Sequence, residues 1–322
     1  MSSRTLSRMM RNLRWRVATP VLRVAPGLMV RLSRRGLMAW GRALGTLAYA
    51  LAPRERWRAF DHLSLAFPHR SGAWIRACAR RSFENLAIGL LETLIIHRLS
   101  DEAVRELLVN PEELEQFIAA HQTPPGPLVV TGHLGNWELL ASLCARFGGS
   151  VRVVGRRMHE RHLDDLLTAL RAAGGVEVLR ADESPRAMID ALRKGTGLGI
   201  LPDQDISELE GVFVDFFGRE AYTPTAPARL ALVARAPLYT MFLLREGDRF
   251  RVRIEGPLGD AVSSSSRDRD AAILRLTQLW TDSLERAVRA APDQWVWMHR
   301  RWRNTPDRLA GRRAAGRVGR KR

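Results

Sequence analysis

His133 and Glu138, in the run Thr131-Gly132-His133-Leu134-Gly135-Asn136-Trp137-Glu138, are the side chains of this sequence best suited to moving a proton. A neutral imidazole takes a proton from an alcohol near neutral pH. A carboxylate on its other nitrogen fixes the tautomer and stabilises the imidazolium. The two residues are five apart, about 500° of rotation in a continuous helix, so they meet only across a turn. Gly132 and Gly135 supply turn freedom, and Asn136 suits the cap of a following helix. No G-x-S-x-G elbow is present, so the nucleophile of such a site is a substrate hydroxyl attacking an acyl donor directly. Spacing alone fits a capping or buried histidine equally well.

The elements around this run must place it at a strand end. Pro127 to Thr131 is short and fully apolar, and helical spacing resumes at 137–147. Strand patterns at 128–131, 151–154, 176–179 and 197–201 alternate with helix patterns near 137–147, 160–173 and 184–194. That alternation predicts βαβ units and a mainly parallel sheet flanked by helices. Open sheets of this kind carry their sites at the carboxyl ends of the strands. Upstream, Ser71 to Arg98 reads as one long helix and Glu112 to His121 as a second, started by Pro111. Downstream come a loop, a helix at 224–235, a hairpin at 238–244 and 249–255, the linker or cap Ser263 to Ser266, and a helix at 268–290.

The 322 residues carry 51 Lys and Arg against 34 Asp and Glu, a net charge of +17. Residues 1–60 hold thirteen Arg and one acid, and residues 293–322 hold ten basic residues and two acids, while the middle is near neutral. Cationic ends bind polyanions, either nucleic acid or an anionic membrane surface. Apolar stretches at Val21 to Val30 and Leu37 to Ala52 interleave with the N-terminal arginines. Neither reaches the roughly 20 apolar residues of a spanning helix. A basic amphipathic arm in the headgroup region, anchored by Trp15, Trp40 and Tyr49, fits better. A secretory signal is excluded by the late, charged apolar stretch. No nucleic-acid-binding motif is present. Cys78 and Cys144 are the only cysteines, which excludes a disulfide scaffold and a cysteine-ligated zinc, and suits a reducing compartment. The expected organisation is an arm at 1–60, an α/β domain at 61–305 and a basic tail at 306–322.

TGHLGNWELL (131–140) resembles the His–Glu motif of the late acyltransferases of lipid A biosynthesis. GLGILPDQD (197–205), GVFVDFFGREAYTPTAPARLAL (211–232) and PDQWVWMHRRWRNTP (292–306) resemble further blocks of that family, in the same order. The resemblance implies an α/β acyltransferase core on an N-terminal membrane-associating helix. It also implies acyl carrier protein as donor, a glycolipid hydroxyl as acceptor, and action at the cytoplasmic face of the inner membrane. The sequence departs from the family at Ala226, where Gly is usual, and at Arg157 and Glu160-Arg161, where Pro and Asn-Pro are usual. The second departure, at Arg157 and Glu160-Arg161, touches the identity of the acceptor; related enzymes acylate phosphatidylinositol mannosides.

On this reading His133 is the base and Glu138 its orienter, and the backbone N–H groups of Gly135 or Asn136 receive the oxyanion. Arg156, after a strand end, is a candidate for the acceptor's phosphate or the oxyanion. Arg229, at a helix start, is a second phosphate candidate, with an ion pair to the core as the alternative. Asp203, Gln204 and Asp205 suit a structural or substrate-contact role, with no metal and no cofactor expected. His159 and His162 read as a solvated helix face, because a zinc pair there lacks a third ligand. Trp295, Trp297, Met298, His299, Arg300, Arg301, Trp302 and Arg303 mix aromatic and basic groups. That mixture suits single-stranded nucleic acid or a membrane interface, and the resemblance favours the interface. Rival readings are a non-catalytic binder of membranes or nucleic acid, and a hydrolase in which His133 activates water.

Overall fold

The hydrophobic period changes near Pro124-Pro125-Gly126, and there the structure passes from helices to a sheet. The computed structural model describes residues 32–158, 160–180, 185–259 and 268–309. Trp15, Val21 to Val30, His159, the Ser263 to Ser266 run and residues 310–322 lie outside them. Five helices come first: α1 (Arg34–Leu51), α2 (Pro53–Ala66), α3 (Gly72–Thr93), α4 (Asp101–Glu106) and α5 (Pro111–Ala120). Then follow β1 (Leu128–Val130), α6 (Trp137–Arg146), β2 (Val151–Gly155), α7 (Arg161–Ala173), β3 (Glu177–Arg180), α8 (Pro185–Arg193) and β4 (Gly197–Ile200). The chain continues with β5 (Gly211–Asp215), β6 (Glu220–Pro224), α9 (Ala226–Ala234), β7 (Leu238–Glu246), β8 (Arg249–Glu255) and α10 (Arg269–Ala290).

Six strands form one sheet in the order β3-β2-β4-β1-β7-β8, parallel except for the final β7–β8 hairpin. The central position of β1 is what matters for the site. It is hydrogen-bonded to β4 on one side and β7 on the other, with Val130 level with Ile200. One face of the sheet carries Leu128, Val130, Leu198 and Ile200 into a core with Leu192, Leu230, Trp280 and Leu284. The opposite face packs Met241 and Leu243 against Leu114 and Phe117 of α5 and Leu139 and Leu143 of α6. Burial of each such Leu contributes roughly 1.5–3 kcal/mol, so the sheet is held from both sides.

Two elements differ from the sequence expectation. The helix expected to run to Arg98 ends at Thr93. The segment expected as a loop after Asp205 contains an antiparallel hairpin, β5–β6, as a separate two-stranded sheet.

Helix α1 is amphipathic, and its two faces are distinct. Leu37, Met38, Gly41 and Gly45 are buried, and the glycines let α1 lie on the backbone of α3: a Cβ at Gly45 would stand 2.4 Å from Glu84 Cα. The other face shows Trp40, Leu44, Leu47 and Leu51, with Trp40 54% and Leu51 68% exposed. No helix of the described residues is long and apolar enough to cross a membrane.

Candidate active site

Parallel neighbours bring their carboxyl ends together, and here the offsets match. His133 stands three residues beyond Val130 of β1, and Asp203 three beyond Ile200 of β4, the residue paired with Val130. The two side chains meet: His133 Nδ1 lies 2.7 Å from Asp203 Oδ1. Asp203 is completely buried. Its Oδ2 accepts the backbone N–H of His133 at 2.8 Å and the indole N–H of Trp295 at 3.0 Å. A buried carboxylate with this many donors is held in its ionised form. Burial raises its pKa, but the charge and hydrogen bond of His133 prevail, and Asp203 lies well below the usual carboxylate range. Burial likewise depresses His133, and is outweighed by the charge and hydrogen bond of Asp203, with the charge of Glu138 adding; the imidazole is raised above its ordinary value. With its proton on Nδ1 directed at Asp203, the ring presents an Nε2 lone pair, and the side chain is 24% exposed. A partly exposed imidazole held in this way has the geometry of an oriented general base.

Glu138 does not orient His133. It is the second residue of α6, and its carboxylate turns to Arg171 of α7, taking Nε at 2.8 Å and Nη2 at 2.6 Å, and to the indole N–H of Trp137 at 3.1 Å. The turn expected between them does exist. Gly135 has φ +63°, and a Cβ there would stand 1.9 Å from the carbonyl oxygen of Leu243. What that turn positions is the helix start, not a His–Glu contact. Asn136 caps α6, accepting the N–H of Leu139 at 3.0 Å, while its amide donates to the buried Glu92 at 3.2 Å.

The expected oxyanion donors are also already engaged. The N–H of Gly135 donates to the carbonyl of Gln294 at 3.0 Å, and that of Asn136 to the carbonyl of Leu243 at 3.0 Å. Both amides tie the turn at 132–136 to β7 and the C-terminal block, because the turn inserts between them. Gln204, by contrast, is at the base itself, its amide nitrogen 3.5 Å from His133 Nε2. Arg156 is exposed, just past β2, which lies beside β4 at the same end of the sheet. Arg229 is paired with Glu210 and Thr225 Oγ1, so the ion-pair alternative describes it. Asp205 is buried and holds the C-terminal block, accepting the backbone N–H groups of Arg303 at 2.9 Å and Asn304 at 2.6 Å. Among the described residues no group of acidic, His and Cys side chains has the geometry of a metal site.

The aromatic and basic block at 295–303 is corrected most. Trp295, Trp297 and Arg301 are completely buried, so they form core and not a membrane interface. Arg301 donates to the carbonyl of Tyr222 at 2.9 Å and to Thr223 Oγ1 at 2.7 Å, fixing the β5–β6 hairpin. Burial lowers its pKa to about 10. Sequence reasoning missed Asp203 as the partner of the base and Trp295 and His299 as its surroundings. The available signal was the matched offset of Asp203 from its strand end.

A cavity of about 270 Å³ lies on the α5–α6 side of the sheet. Its near end is walled by Thr131, Trp137 and Leu201, and the Trp137 ring packs edge-on against His133 at 5.0 Å. Its far end reaches Pro127, Ser150 and Lys194. The four residue steps from Thr131 to Pro127 span about 13 Å of extended chain. Room comes from Gly197 and Gly199, which line it where β4 carries no side chain; a Cβ at Gly199 would touch Val153 at 3.4 Å.

Comparison with known proteins identifies the family. The family model for bacterial lipid A biosynthesis acyltransferases matches residues 21–304. The chain is similar to the lipid A biosynthesis lauroyltransferase of Escherichia coli, 26% identical over 88% of this chain and 91% of that protein. It is also similar to the palmitoleoyltransferase of that organism, 24% identical over 87% and 89%. A phosphatidylinositol mannoside acyltransferase of Mycolicibacterium smegmatis is 24% identical over 59% of this chain and 61% of its own. The protein is an acyltransferase and belongs to the bacterial lipid A biosynthesis acyltransferase family.

Proposed function

We propose that this protein transfers a fatty acyl chain from the thioester of acyl carrier protein to a hydroxyl of a lipid A precursor at the cytoplasmic face of the inner membrane. The observation that carries the reading is an oriented base, His133 on Asp203, beside the near end of an apolar cavity. His133 Nε2 takes the hydroxyl proton as the oxygen attacks the thioester carbon. The oxyanion collapses, the C–S bond breaks, and the leaving thiolate takes the proton from Nε2. Asp203 stabilises the imidazolium that exists between these events. The cavity holds the acyl chain, which apolar burial favours by about 0.8 kcal/mol per methylene. The outward stripe of α1 lies in the membrane interface with arginines beside it, Arg35 being almost fully exposed. The basic surface draws in the acidic carrier protein. Arg156 meets the acceptor's phosphate.

The test is an assay of purified protein with acyl carrier protein thioester and a phosphorylated lipid A precursor. Acylated lipid supports the reading. Free fatty acid alone supports a hydrolase, and no product from either substrate supports a binding protein. A mannosylated phosphatidylinositol acceptor belongs in the same assay, because the Mycolicibacterium relative acylates that class and Arg157, Glu160 and Arg161 depart from the lipid A pattern.

A further inference from the structure

Asp203 faces a second histidine. His299 packs edge-on against Trp295, with ring centroids 4.6 Å apart, and its Nε2 stands 3.6 Å from Asp203 Oδ2. Its ring centroid is 6.2 Å from that of His133. The side chain is buried, and neither ring nitrogen has a hydrogen-bond partner. Buried polar atoms without partners are rare enough to require a reason. Packing against Trp295 alone would be served by an apolar ring. The nitrogen, however, is directed at the carboxylate that serves the base.

We propose that His299 is a positioning residue for the base, presenting its Nε2–H to Asp203 Oδ2 and so fixing the charge and rotation of the carboxylate whose other oxygen holds His133. The inference rests on the base role of His133 proposed above. A neutral ring is required, because an imidazolium would compete with His133 for the same carboxylate. The surroundings keep it neutral. Burial lowers its pKa, and the charges of His133 and Arg301 act in the same direction, against the opposing pull of Asp203. His62 of α2 also faces it and is itself depressed to about 4, chiefly by burial and then by His299. Among the other groups nearby, Glu138 acts on His133 and Asp205 on Arg301.

Removing the Nε2–H takes away a dipole directed at Asp203 from 3.6 Å, just beyond hydrogen-bond distance. A less satisfied carboxylate is more basic, so it holds the His133 imidazolium more tightly and raises the pH at which His133 becomes a base. The experiment is a ¹⁵N-histidine NMR titration of the full chain, which reads His133 without requiring turnover. In His299→Phe the His133 midpoint is expected to rise by about 0.5–1 pH unit, less than a full hydrogen bond to a carboxylate would give because the contact is long. The acid limb of kcat/KM rises with it, and His299→Gln, which restores an N–H, moves both back toward wild type. In the wild type, His299 is expected to remain neutral with its proton on Nε2 while His133 titrates; this reading stands whether or not the variants fold. A His133 midpoint that is unchanged or lower in His299→Phe, or a wild-type His299 that is charged or protonated on Nδ1, overturns the inference. A shifted midpoint in a protein without acyl transfer would keep the positioning role and reject the proposed function.

Discussion

Replacing Asp203 by Asn should cost far more activity than replacing Glu138 by Gln, the reverse of what chain spacing suggests. At 2.7 Å the attraction between the His133 imidazolium and Asp203 is about 6 kcal/mol at an effective dielectric near 20. The imidazolium forms during the reaction, so that attraction stabilises the transition state, and its full loss corresponds to a rate decrease of roughly 10⁴–10⁵. Asparagine adds a second defect, since its NH₂ can face Nδ1 and force the ring proton onto Nε2, removing the lone pair. Glu138 contributes only its charge to His133, at no hydrogen bond, and Gln can still accept from Arg171. Its removal should cost about tenfold or less, one pH unit of base strength. The assay is initial rate with acyl carrier protein thioester and lipid acceptor, alongside circular dichroism and melting curves. Folded Glu138→Gln protein as inactive as folded Asp203→Asn protein would refute the assignment of the orienting carboxylate.

Three further outcomes are expected. Because His133 lies above the ordinary histidine value of about 6.5, kcat/KM in the wild type should rise through a pKa above it. In Asp203→Asn burial is opposed only by the charge of Glu138, so the residual limb should fall to lower pH and the deficit should shrink on acidification. Gly199→Val should narrow the cavity and shift donor preference to shorter chains, losing roughly fourfold in kcat/KM per methylene no longer accommodated; unchanged preference across a series of acyl lengths would place the chain elsewhere. Trp40→Ser with Leu47→Ser should weaken binding to anionic vesicles at high salt, where apolar burial persists and charge attraction is screened; retention equal to wild type in cosedimentation would remove α1 from the membrane contact.

The sheet was legible because its strands are short apolar runs separated by helical periods, and the elements from β1 to β4 fall within a residue or two of their expected places. The site was legible at His133, where a buried strand meets glycines and a capping Asn. Its partner was not, because pairing along the chain and pairing across strands are different information. Asp203 lies seventy residues from His133, and the two meet only because β4, not β2, is hydrogen-bonded to β1. Glu138 failed as a partner for a local reason: once α6 begins at Trp137, its carboxylate is carried toward Arg171. The tryptophans at 295 and 297 misled by composition. Amphipathic rings suit interfaces and cores alike, and here their N–H groups find buried acceptors, Asp203 and the carbonyl of Pro292. The β5–β6 hairpin was hidden because Phe216-Phe217-Gly218-Arg219 lacks the usual Asn-Gly or Asp-Gly turn signal.

The central claim, that His133 is the base for acyl transfer to a lipid hydroxyl, is tested most directly by mass spectrometry of the lipid product. Wild-type and His133→Ala protein are each incubated with acyl carrier protein thioester and lipid A precursor, after melting curves show both to be folded. Wild type should add one acyl mass to the acceptor, and His133→Ala should lower that rate by about 10²–10⁴. Acylated lipid formed by folded His133→Ala at a rate near wild type would contradict the claim.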